Sequence, residues 1–310
     1  MNAAMHIIAP DVSQALVDGR GVVALESTLI AHGLPWPVNL DTALETEATV
    51  REAGACPATI ALLSGRVRIG LSSDEIERLA RQGSFQKASR RDLAAAVAHG
   101  IDAATTISAT LWLARGLGIG VMATGGLGGV HRDAAQSFDV STDLDELARA
   151  DGALVVCSGV KSILDMPATL EALETRGVVV AGYQTETWPA FTTVSSGLPL
   201  EVRVQTPQEA ADLVRAHRAL GLPGAIVLAQ PVPEQAALDR SEMEAALTEA
   251  RAQGLTGKAL TPFLLDQLQH RTKGRSLRAN RALVVANARL AGLLAVALAQ
   301  GPGGASESGG

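Results

Sequence analysis

The sequence predicts an α/β fold with a largely parallel or mixed sheet that carries helices on both faces. Short apolar runs rich in β-branched residues alternate with segments of helical periodicity along most of the chain, which is the pattern of strands and helices in such layered folds. The chain has 310 residues and shows neither an internal repeat nor a convincing linker. We therefore predict one domain over residues 1–300, followed by a disordered, Gly/Ser-rich tail over 301–310.

Seven short apolar runs predict the strands. The second and third runs flank the segment 64–66, Ser-Gly-Arg, whose glycine favours the tight turn of a hairpin. The other runs alternate with helical segments, as expected where parallel strands need crossover connections. In chain order the predicted strands are 21–25, 58–63, 67–71, 117–123, 153–158, 177–183 and 225–230.

Capping residues and apolar periodicity predict the helices. Ser72 with Glu75, and Ser89 with Asp92, have the spacing of capping boxes, in which each side chain accepts a hydrogen bond from the backbone of the other. Gly100 is suited to end the second of these helices. Further helices are predicted over 162–174, 207–219, 240–253, 261–271 and 276–299.

Composition and charge exclude several classes of protein. A net charge of −6 argues against a general nucleic-acid surface, which carries basic patches. The longest apolar segment, 282–299, contains Asn287 and Arg289, so we interpret it as a core helix and not as a membrane span. Cys56 and Cys157 are expected to be buried thiols in a reducing compartment. No signal-peptide pattern is found, and we expect a cytoplasmic protein.

Lysine is rare in this chain, although basic residues are not. Only four of the 26 lysine and arginine residues are lysines, and a lysine that persists offers what arginine does not, an amine able to lose its proton. Lys161 follows the apolar run 153–157, where partial desolvation favours the neutral amine that attacks carbonyl groups. The alternative, a lysine at a helix N-terminus, is disfavoured by the helix dipole. We therefore predict that Lys161 is catalytic.

Three other polar features follow predicted strands, at the edge of the sheet where α/β enzymes place their sites. Glu26 has the chemistry of a general acid or base if burial raises its pKa, but a helix cap is nearly as plausible from this segment alone. The segment 123–131, with four glycines, suits an anion site or a plain turn, and it matches neither the dinucleotide nor the Walker pattern. The run 139–143 offers oxygen ligands for Mg²⁺ or Mn²⁺, or the start of a helix through Leu147.

Polar residues also occur in unusual surroundings at two further places. The run 87–91 begins at Lys87 and holds three cations in five residues, which suits a phosphate group or a solvated helix face. Asn280 and Asn287 lie seven residues apart and share one face of the last predicted helix. Buried amides need partners, and we interpret Asn287 as structural while the role of Asn280 stays open.

Taken together and in order, nine motifs resemble those of the pseudouridine-5′-phosphate glycosidase family. They span nearly the whole chain, roughly residues 20–298. The matching segments are ALESTLIAHGLPWP (24–37), KASRRDL (87–93), ATTISAT (104–110), ATGGLGGVHR (123–132), FDVSTDL (138–144), CSGVKSILD (157–165), GYQTETWPAF (182–191), GKALTPFLL (257–265) and GRSLRANRALVVANARLAG (274–292).

The resemblance implies an activity and a mechanism. Pseudouridine 5′-phosphate and water are interconverted with uracil and ribose 5-phosphate, which requires cleavage of a carbon–carbon bond. Glu26 corresponds to the acid that assists opening of the ribose ring, and Lys161 to the nucleophile that carries the sugar C1 as an imine. Asp139 corresponds to the metal ligand, for one Mn²⁺ ion per subunit with Mg²⁺ as the alternative. The substrate-binding positions implied are Lys87, Ile107, His131, Ser141, Thr142, Asp143 and Asn280, with Lys87 suited to the phosphate.

The family also implies a three-layer α/β/α sandwich with a central mixed, largely parallel sheet, assembled as a homotrimer. This chain departs from the family pattern at Thr142 and Ser158, where alanine is expected. Two rival functions share the lysine or the phosphate site: a Schiff-base lyase or aldolase acting on another sugar phosphate, and a sugar-phosphate sensor without turnover. Release of uracil from pseudouridine 5′-phosphate separates the three.

Overall fold

A mixed sheet of eleven strands forms the centre of the structure, a computed structural model that describes residues 6–81, 83–253, 255 and 260–301. The strands are β1 (His6–Ile8), β2 (Val22–Leu25), β3 (Cys56–Leu63), β4 (Arg66–Ile69), β5 (Gln86–Ala88), β6 (Ala103–Thr105), β7 (Val121–Ala123), β8 (Leu154–Cys157), β9 (Val179–Tyr183), β10 (Val202–Val204) and β11 (Ile226–Ala229). Their order is β1-β4-β3-β2-β7-β8-β11-β9-β10, and β6 pairs with β3 and β5. The strand pairs are parallel except for β3 with β4 and β3 with β6.

Twelve α-helices lie within the described residues, and the last three follow the final strand β11. They are α1 (Pro10–Val17), α2 (Val38–Glu52), α3 (Ser73–Arg81), α4 (Leu93–Ala98), α5 (Ile107–Arg115), α6 (Ala134–Ser137), α7 (Thr142–Leu147), α8 (Met166–Thr175), α9 (Pro207–Ala219), α10 (Arg240–Ala252), α11 (Leu260–Arg271) and α12 (Arg275–Ala299). A π-helical turn covers Leu29–Gly33, and 3₁₀ turns cover Arg90–Asp92 and Glu234–Ala236.

The helices form a layer on each face of the sheet, because the central strands are apolar on both sides. Val22 and Ala24 of β2 belong to one core cluster, which they share with α1, α5 and α7. Val23 and Leu25 point to the opposite face and pack with α9 and α12. The predicted three-layer α/β/α sandwich with a mixed, largely parallel sheet is therefore confirmed.

Helix α12 is long and apolar enough to cross a membrane by length and composition alone, but it is half buried inside the structure. It lies across β2, β7 and β8 and packs against α2 and α9. The prediction of a core helix over this segment is confirmed.

Several predicted elements are found with their expected local chemistry. The 64–66 turn joins β3 and β4 as an antiparallel hairpin, and both capping boxes form, with Ser72 N–H donating to Glu75 at 2.9 Å and Ser89 N–H donating to Asp92 at 2.9 Å. Cys56 and Cys157 are buried free thiols. The tail beyond residue 301 lies outside the described residues, so its predicted disorder stays a prediction.

Two predicted boundaries were wrong. The strand predicted over 117–123 begins only at Val121, because the preceding residues close α5 through a bond from Ile119 N–H to the carbonyl of Ala114 at 3.0 Å. The helix predicted over 162–174 begins at Met166, where Asp165 caps it by accepting from Ala168 N–H at 3.0 Å. The residue Lys161 therefore lies in a turn, five residues before the helix.

Candidate active site

The carboxyl ends of three adjacent strands, β2, β7 and β8, lie side by side at one edge of the sheet. Leu25 is in register with Ala123, and Ala123 with Val156. The residues that follow these strands therefore occupy neighbouring positions, since parallel strands end at the same edge. This places Glu26 next to Thr124 and brings the turn that carries Lys161 alongside.

Glu26 is buried, with only 8% of the residue exposed, and the hydroxyl of Thr124 donates to its Oε1 atom. Burial raises the pKa of Glu26, and the positive charge of Lys161 is the strongest opposing influence. Lys87 also lowers this pKa, whereas the negative charge of Asp143 raises it. A carboxyl group whose pKa is raised keeps its proton closer to neutral pH, as a general acid requires.

The turn that carries Lys161 is fixed to the glycine-rich segment by two backbone hydrogen bonds. Leu127 N–H donates to the carbonyl of Gly159 at 2.9 Å, and Lys161 N–H donates to the carbonyl of Leu127 at 3.2 Å. Gly159 adopts a φ of +81°, and a Cβ there would collide with the carbonyl oxygen of Pro189. The lysine therefore projects from a turn whose conformation favours glycine.

Asp143 ties the glycine-rich segment to helix α5. Its two carboxylate oxygens each accept a backbone N–H at 3.0 Å, one from Ser108 and the other from Gly128. Ser141 caps α7 by accepting from Asp143 N–H at 3.2 Å, and the hydroxyl of Thr142 lies 3.2 Å from that of Ser108. The predicted helix start at 141–142 is confirmed, and the run 141–143 joins α7, α5 and the glycine-rich segment.

Lys87 lies in strand β5, and Ile107 begins α5, two residues after β6. Lys87 is exposed, pairs with Ala104 across the two strands, and has its charge close enough to act on Glu26. The side chain of Ile107, the first residue of α5, is buried in the core. Ile107 thus presents its backbone, at a helix N-terminus that favours anions, and not its side chain.

His131 and Asp139 lie close together at the rim of the site. The Nδ1 atom of His131 is 3.9 Å from Oδ2 of Asp139, and His131 N–H donates to the backbone carbonyl of Asp139 at 3.0 Å. The side chain of Asp139 is about half exposed. Within the described part of the chain, no group of three or more His, Cys, Asp or Glu side chains could hold a metal. One carboxylate and one imidazole fit an ion that keeps most of its ligands as water or substrate oxygens.

The two asparagines of α12 differ in their surroundings. The Oδ1 atom of Asn280 is buried without a hydrogen-bond partner among the described residues and faces Gly125, in the glycine-rich segment. Asn287 is fully buried and hydrogen bonded to the ends of β7 and β8. A buried acceptor without a partner is typical of a ligand-binding position.

A cavity of about 280 Å³ opens beside Ser162, the residue that follows Lys161, and is also lined by Arg132, the neighbour of His131. Its lining does not include Glu26, Thr124 or Lys161, and Glu26 and Thr124 instead line a separate cavity of about 20 Å³. Sequence reasoning did not single out Thr124 or Ser108, although both occur inside recognised motifs. The only available signal for Thr124 was its position directly after a buried strand.

Together these features define an α/β enzyme with a buried carboxylic acid and a lysine amine at one edge of its sheet. A family model described as indigoidine synthase A like protein matches residues 11–297. A pseudouridine-5′-phosphate glycosidase of Streptomyces griseus is 53% identical over 303 residues, covering 96% of this chain and 94% of the relative. The enzyme of that name from Caldanaerobacter subterraneus is 50% identical, covering 94% of this chain and 96% of the relative. The chain therefore belongs to this family, and the resemblance drawn from its motifs is confirmed.

Two solved structures extend the comparison to the fold. The prealnumycin C-glycosynthase AlnA, in complex with ribulose 5-phosphate, is 37% identical with a TM-score of 0.88, covering 96% of this chain and 97% of its own. An indigoidine synthase A-like protein of Thermotoga maritima is 36% identical with a TM-score of 0.86, covering 95% of this chain and 97% of its own. The same architecture thus carries sugar-phosphate binding in AlnA.

Proposed function

We propose that this protein is a pseudouridine-5′-phosphate glycosidase, which converts pseudouridine 5′-phosphate and water into uracil and ribose 5-phosphate and also catalyses the reverse reaction. The observation that carries the proposal is the placement of Glu26 and Lys161 beyond the ends of β2 and β8, on either side of β7, where the charge of Lys161 acts on the buried carboxyl. The names of relatives about 50% identical over nearly the whole chain support the same substrate.

The proposed reaction begins at the ribose ring. The amine of Lys161 attacks C1′ while Glu26 protonates the ring oxygen, so that the C1′–O4′ bond breaks and the sugar is held open on the lysine. The proton that the attacking nitrogen loses is passed to C5 of uracil, which prepares the carbon–carbon bond for cleavage and leaves the nitrogen with a lone pair. The lone pair of the lysine nitrogen forms the C1′=N bond, and the electrons of the broken bond restore the C5–C6 double bond of uracil. Water hydrolyses the imine and releases ribose 5-phosphate.

The remaining site residues suit the other parts of the substrate. We assign Lys87 and the backbone at Ile107 to the phosphate, and Asp143, with Ser141 and Thr142, to the ribose hydroxyls. Asn280 offers a buried acceptor facing the glycine-rich segment. Lys87 is exposed at the edge of this cluster, where an anion can reach it from solvent.

We also propose one Mn²⁺ ion per subunit, or Mg²⁺ as the alternative, held by Asp139 with His131 beside it. The support is the exposed carboxylate and the nearby imidazole, and the ion would supply positive charge for substrate oxygens. Loss of uracil release on chelation, with recovery on adding Mn²⁺, tests this, and Asp139→Ala should need far more Mn²⁺ for recovery. Unchanged turnover after exhaustive chelation would contradict it.

A homotrimer is proposed for the assembly. Phe138, next to Asp139, is 85% exposed, and Val140 beside it is also exposed, so an apolar surface borders the site as interfaces between subunits do. Native mass spectrometry or light scattering measures the subunit number directly. A cytoplasmic location stays a prediction.

Reductive trapping tests the lysine nucleophile. Incubation with ribose 5-phosphate and borohydride should convert the imine into a stable secondary amine, which peptide mapping places on Lys161. Lys161→Arg keeps the charge but removes the nucleophile, so it should give neither adduct nor uracil release. Lys273→Arg, at an exposed lysine that is not among the proposed site residues, is the matched control and should behave as wild type. An adduct without uracil release from pseudouridine 5′-phosphate would favour the rival lyase or aldolase.

A further inference from the structure

Asn287 is a fully buried amide in the middle of a helix that is otherwise apolar where it faces the sheet. Its Nδ2 atom donates to the backbone carbonyl of Thr124 at 2.9 Å and lies 3.1 Å from the hydroxyl of Ser158. Both partners belong to other elements, so the amide contributes nothing to its own helix. A buried amide is costly unless it is bonded, and here the bonds connect α12 to two strand ends.

Those strand ends carry the two groups on which the proposed chemistry depends. Thr124 follows β7 and donates its hydroxyl to Glu26, and Ser158 follows β8, three residues before Lys161. The strand ends are also bonded to each other, since Ser158 N–H donates to the carbonyl of Gly125 at 3.0 Å. The amide of Asn287 is therefore bonded both to the residue that contacts Glu26 and to the turn that leads to Lys161.

We infer that Asn287 is a positioning residue. It holds the Thr124 backbone so that the Thr124 hydroxyl reaches Glu26, and it also fixes the position of the turn before Lys161 relative to α12. This inference rests on the proposed function of Glu26 as the acid. It assigns Asn287 a role in setting the acid's proton affinity, beyond the structural role that its sequence position indicates.

A specific sign follows for the pH dependence of the acid. A hydroxyl that donates to a carboxylate stabilises the charged form, so the bond from Thr124 lowers the pKa of Glu26 against the effect of burial. The charged groups that act on Glu26 are Lys161 and Lys87, which lower its pKa, and Asp143, which raises it. None of these is bonded to Asn287, so its loss should act through Thr124 and should raise the pKa of Glu26.

The test compares the pH profiles of kcat/KM for uracil release in wild type, Asn287→Ala, Thr124→Val and the double variant. A general acid is active while protonated, so a raised pKa moves the alkaline limb upward. We expect a shift of about one pH unit in Asn287→Ala and in Thr124→Val, from the usual strength of a hydrogen bond to a charged group. The alkaline limb of the double variant should shift no further, because each substitution alone already abolishes the hydrogen bond from the Thr124 hydroxyl to Glu26. We also expect kcat in Asn287→Ala to fall about tenfold to a hundredfold.

Asn39→Ala is the matched control, since Asn39 is another buried asparagine, whose amide donates to the carbonyls of Ile30 and Ala80 at 2.8 and 2.9 Å. It should lose stability without moving the alkaline limb. If Asn287→Ala does not fold, Asn287→Leu fills the space with a better helix former and serves in its place.

Direct titration of Glu26 by carbon-13 NMR, assigned with Glu26→Gln, gives a readout that does not need turnover. If wild type releases no uracil, the proposed function fails while this titration still tests the positioning role. The inference is overturned if Glu26 has the same pKa in Asn287→Ala as in wild type and in the Asn39→Ala control. It is also overturned if the pKa shifts caused by Asn287→Ala and Thr124→Val add in the double variant.

Discussion

Replacing Gly128 with alanine should disable the site through a collision that the structure locates. A Cβ on Gly128 would lie 2.6 Å from Oδ2 of Asp143 and 2.8 Å from Cβ of Ser141, and closer still to the Ser141 hydroxyl. Ordinary contact begins near 3.4 Å, so the Asp143 oxygen must retreat by about 0.8 Å. That oxygen accepts the N–H of Gly128 itself at 3.0 Å, and the retreat stretches this bond beyond hydrogen-bond length.

The magnitude follows from these contacts. Overpacking of this kind costs about 1–3 kcal/mol, and a weakened bond to a buried carboxylate belongs in the same range. A loss of about 2 kcal/mol lowers the melting temperature by roughly 3 °C in a domain of this size. Because Asp143 and Ser141 are proposed substrate contacts, a displacement approaching 1 Å should lower kcat/KM about a hundredfold.

Uracil release measured over a range of substrate concentrations, together with a thermal melt, checks both numbers. Gly83→Ala is the control, because a Cβ at Gly83 meets no atom within 4 Å. Gly83→Ala should keep the activity and melting temperature of wild type. If Gly128→Ala also keeps wild-type kcat/KM and melting temperature, the placement of Asp143 and Ser141 against the glycine-rich segment is wrong.

Three further substitutions test charges that the fold buries. Glu26→Gln should lower kcat for uracil release by about 10²–10⁴-fold, yet raise the melting temperature at neutral pH. The sign follows because burial raises the pKa of Glu26 above its ordinary value of 4.5, so its ionisation destabilises the folded state as pH rises above that value. Glu47, buried in α2, has its pKa raised above 4.5 for the same reason. Glu47→Gln should therefore flatten the dependence of melting temperature on pH above that value, while uracil release continues; an unchanged slope would contradict this. Arg90→Ala removes a guanidinium 3.2 Å from the buried carboxylate of Glu146 and leaves Arg115 at 3.9 Å, so it should cost roughly 1–2 kcal/mol in urea unfolding, less than for a carboxylate left without any partner. Adding Glu146→Gln should recover most of that loss, and no recovery would show that the ion pair is not the cause.

The part of the site that lies at strand ends was predictable from the sequence. Glu26 and Lys161 each follow a short run of apolar residues, and such runs form strands whose carboxyl ends meet at one edge when they are parallel. What the sequence could not provide is the strand order. The adjacency of β2, β7 and β8 depends on pairing between segments that are about a hundred residues apart in the chain for β2 with β7 and about thirty for β7 with β8, which local patterns do not encode.

Helices α2 and α5 escaped prediction for a different physical reason. In α2 the residues that face inward include Thr42, Thr46 and Glu47, so the helix lacks the apolar stripe that periodicity detects. In α5 seven of the nine residues are buried, and a helix covered on nearly all sides shows no polar face. Ser108 of α5, which binds the Asp143 carboxylate, was overlooked because its helix was not recognised.

In the proposed mechanism, the buried acid and the amine share a single proton. Attack by Lys161 needs a neutral amine, and opening of the ribose ring needs a protonated Glu26, so the two groups together need one proton and not two. An ammonium–carboxylate pair holds that same single proton. Burial disfavours charges and favours the neutral acid with the neutral amine, whereas the attraction between Lys161 and Glu26 favours the charged pair. The hydroxyl of Thr124, donating to Glu26, favours the charged form as well. In this mechanism, the hydrogen bonds from Asn287 to Thr124 and from Thr124 to Glu26 set the fraction of molecules in which both groups are uncharged and reactive. No proton has to enter from solvent.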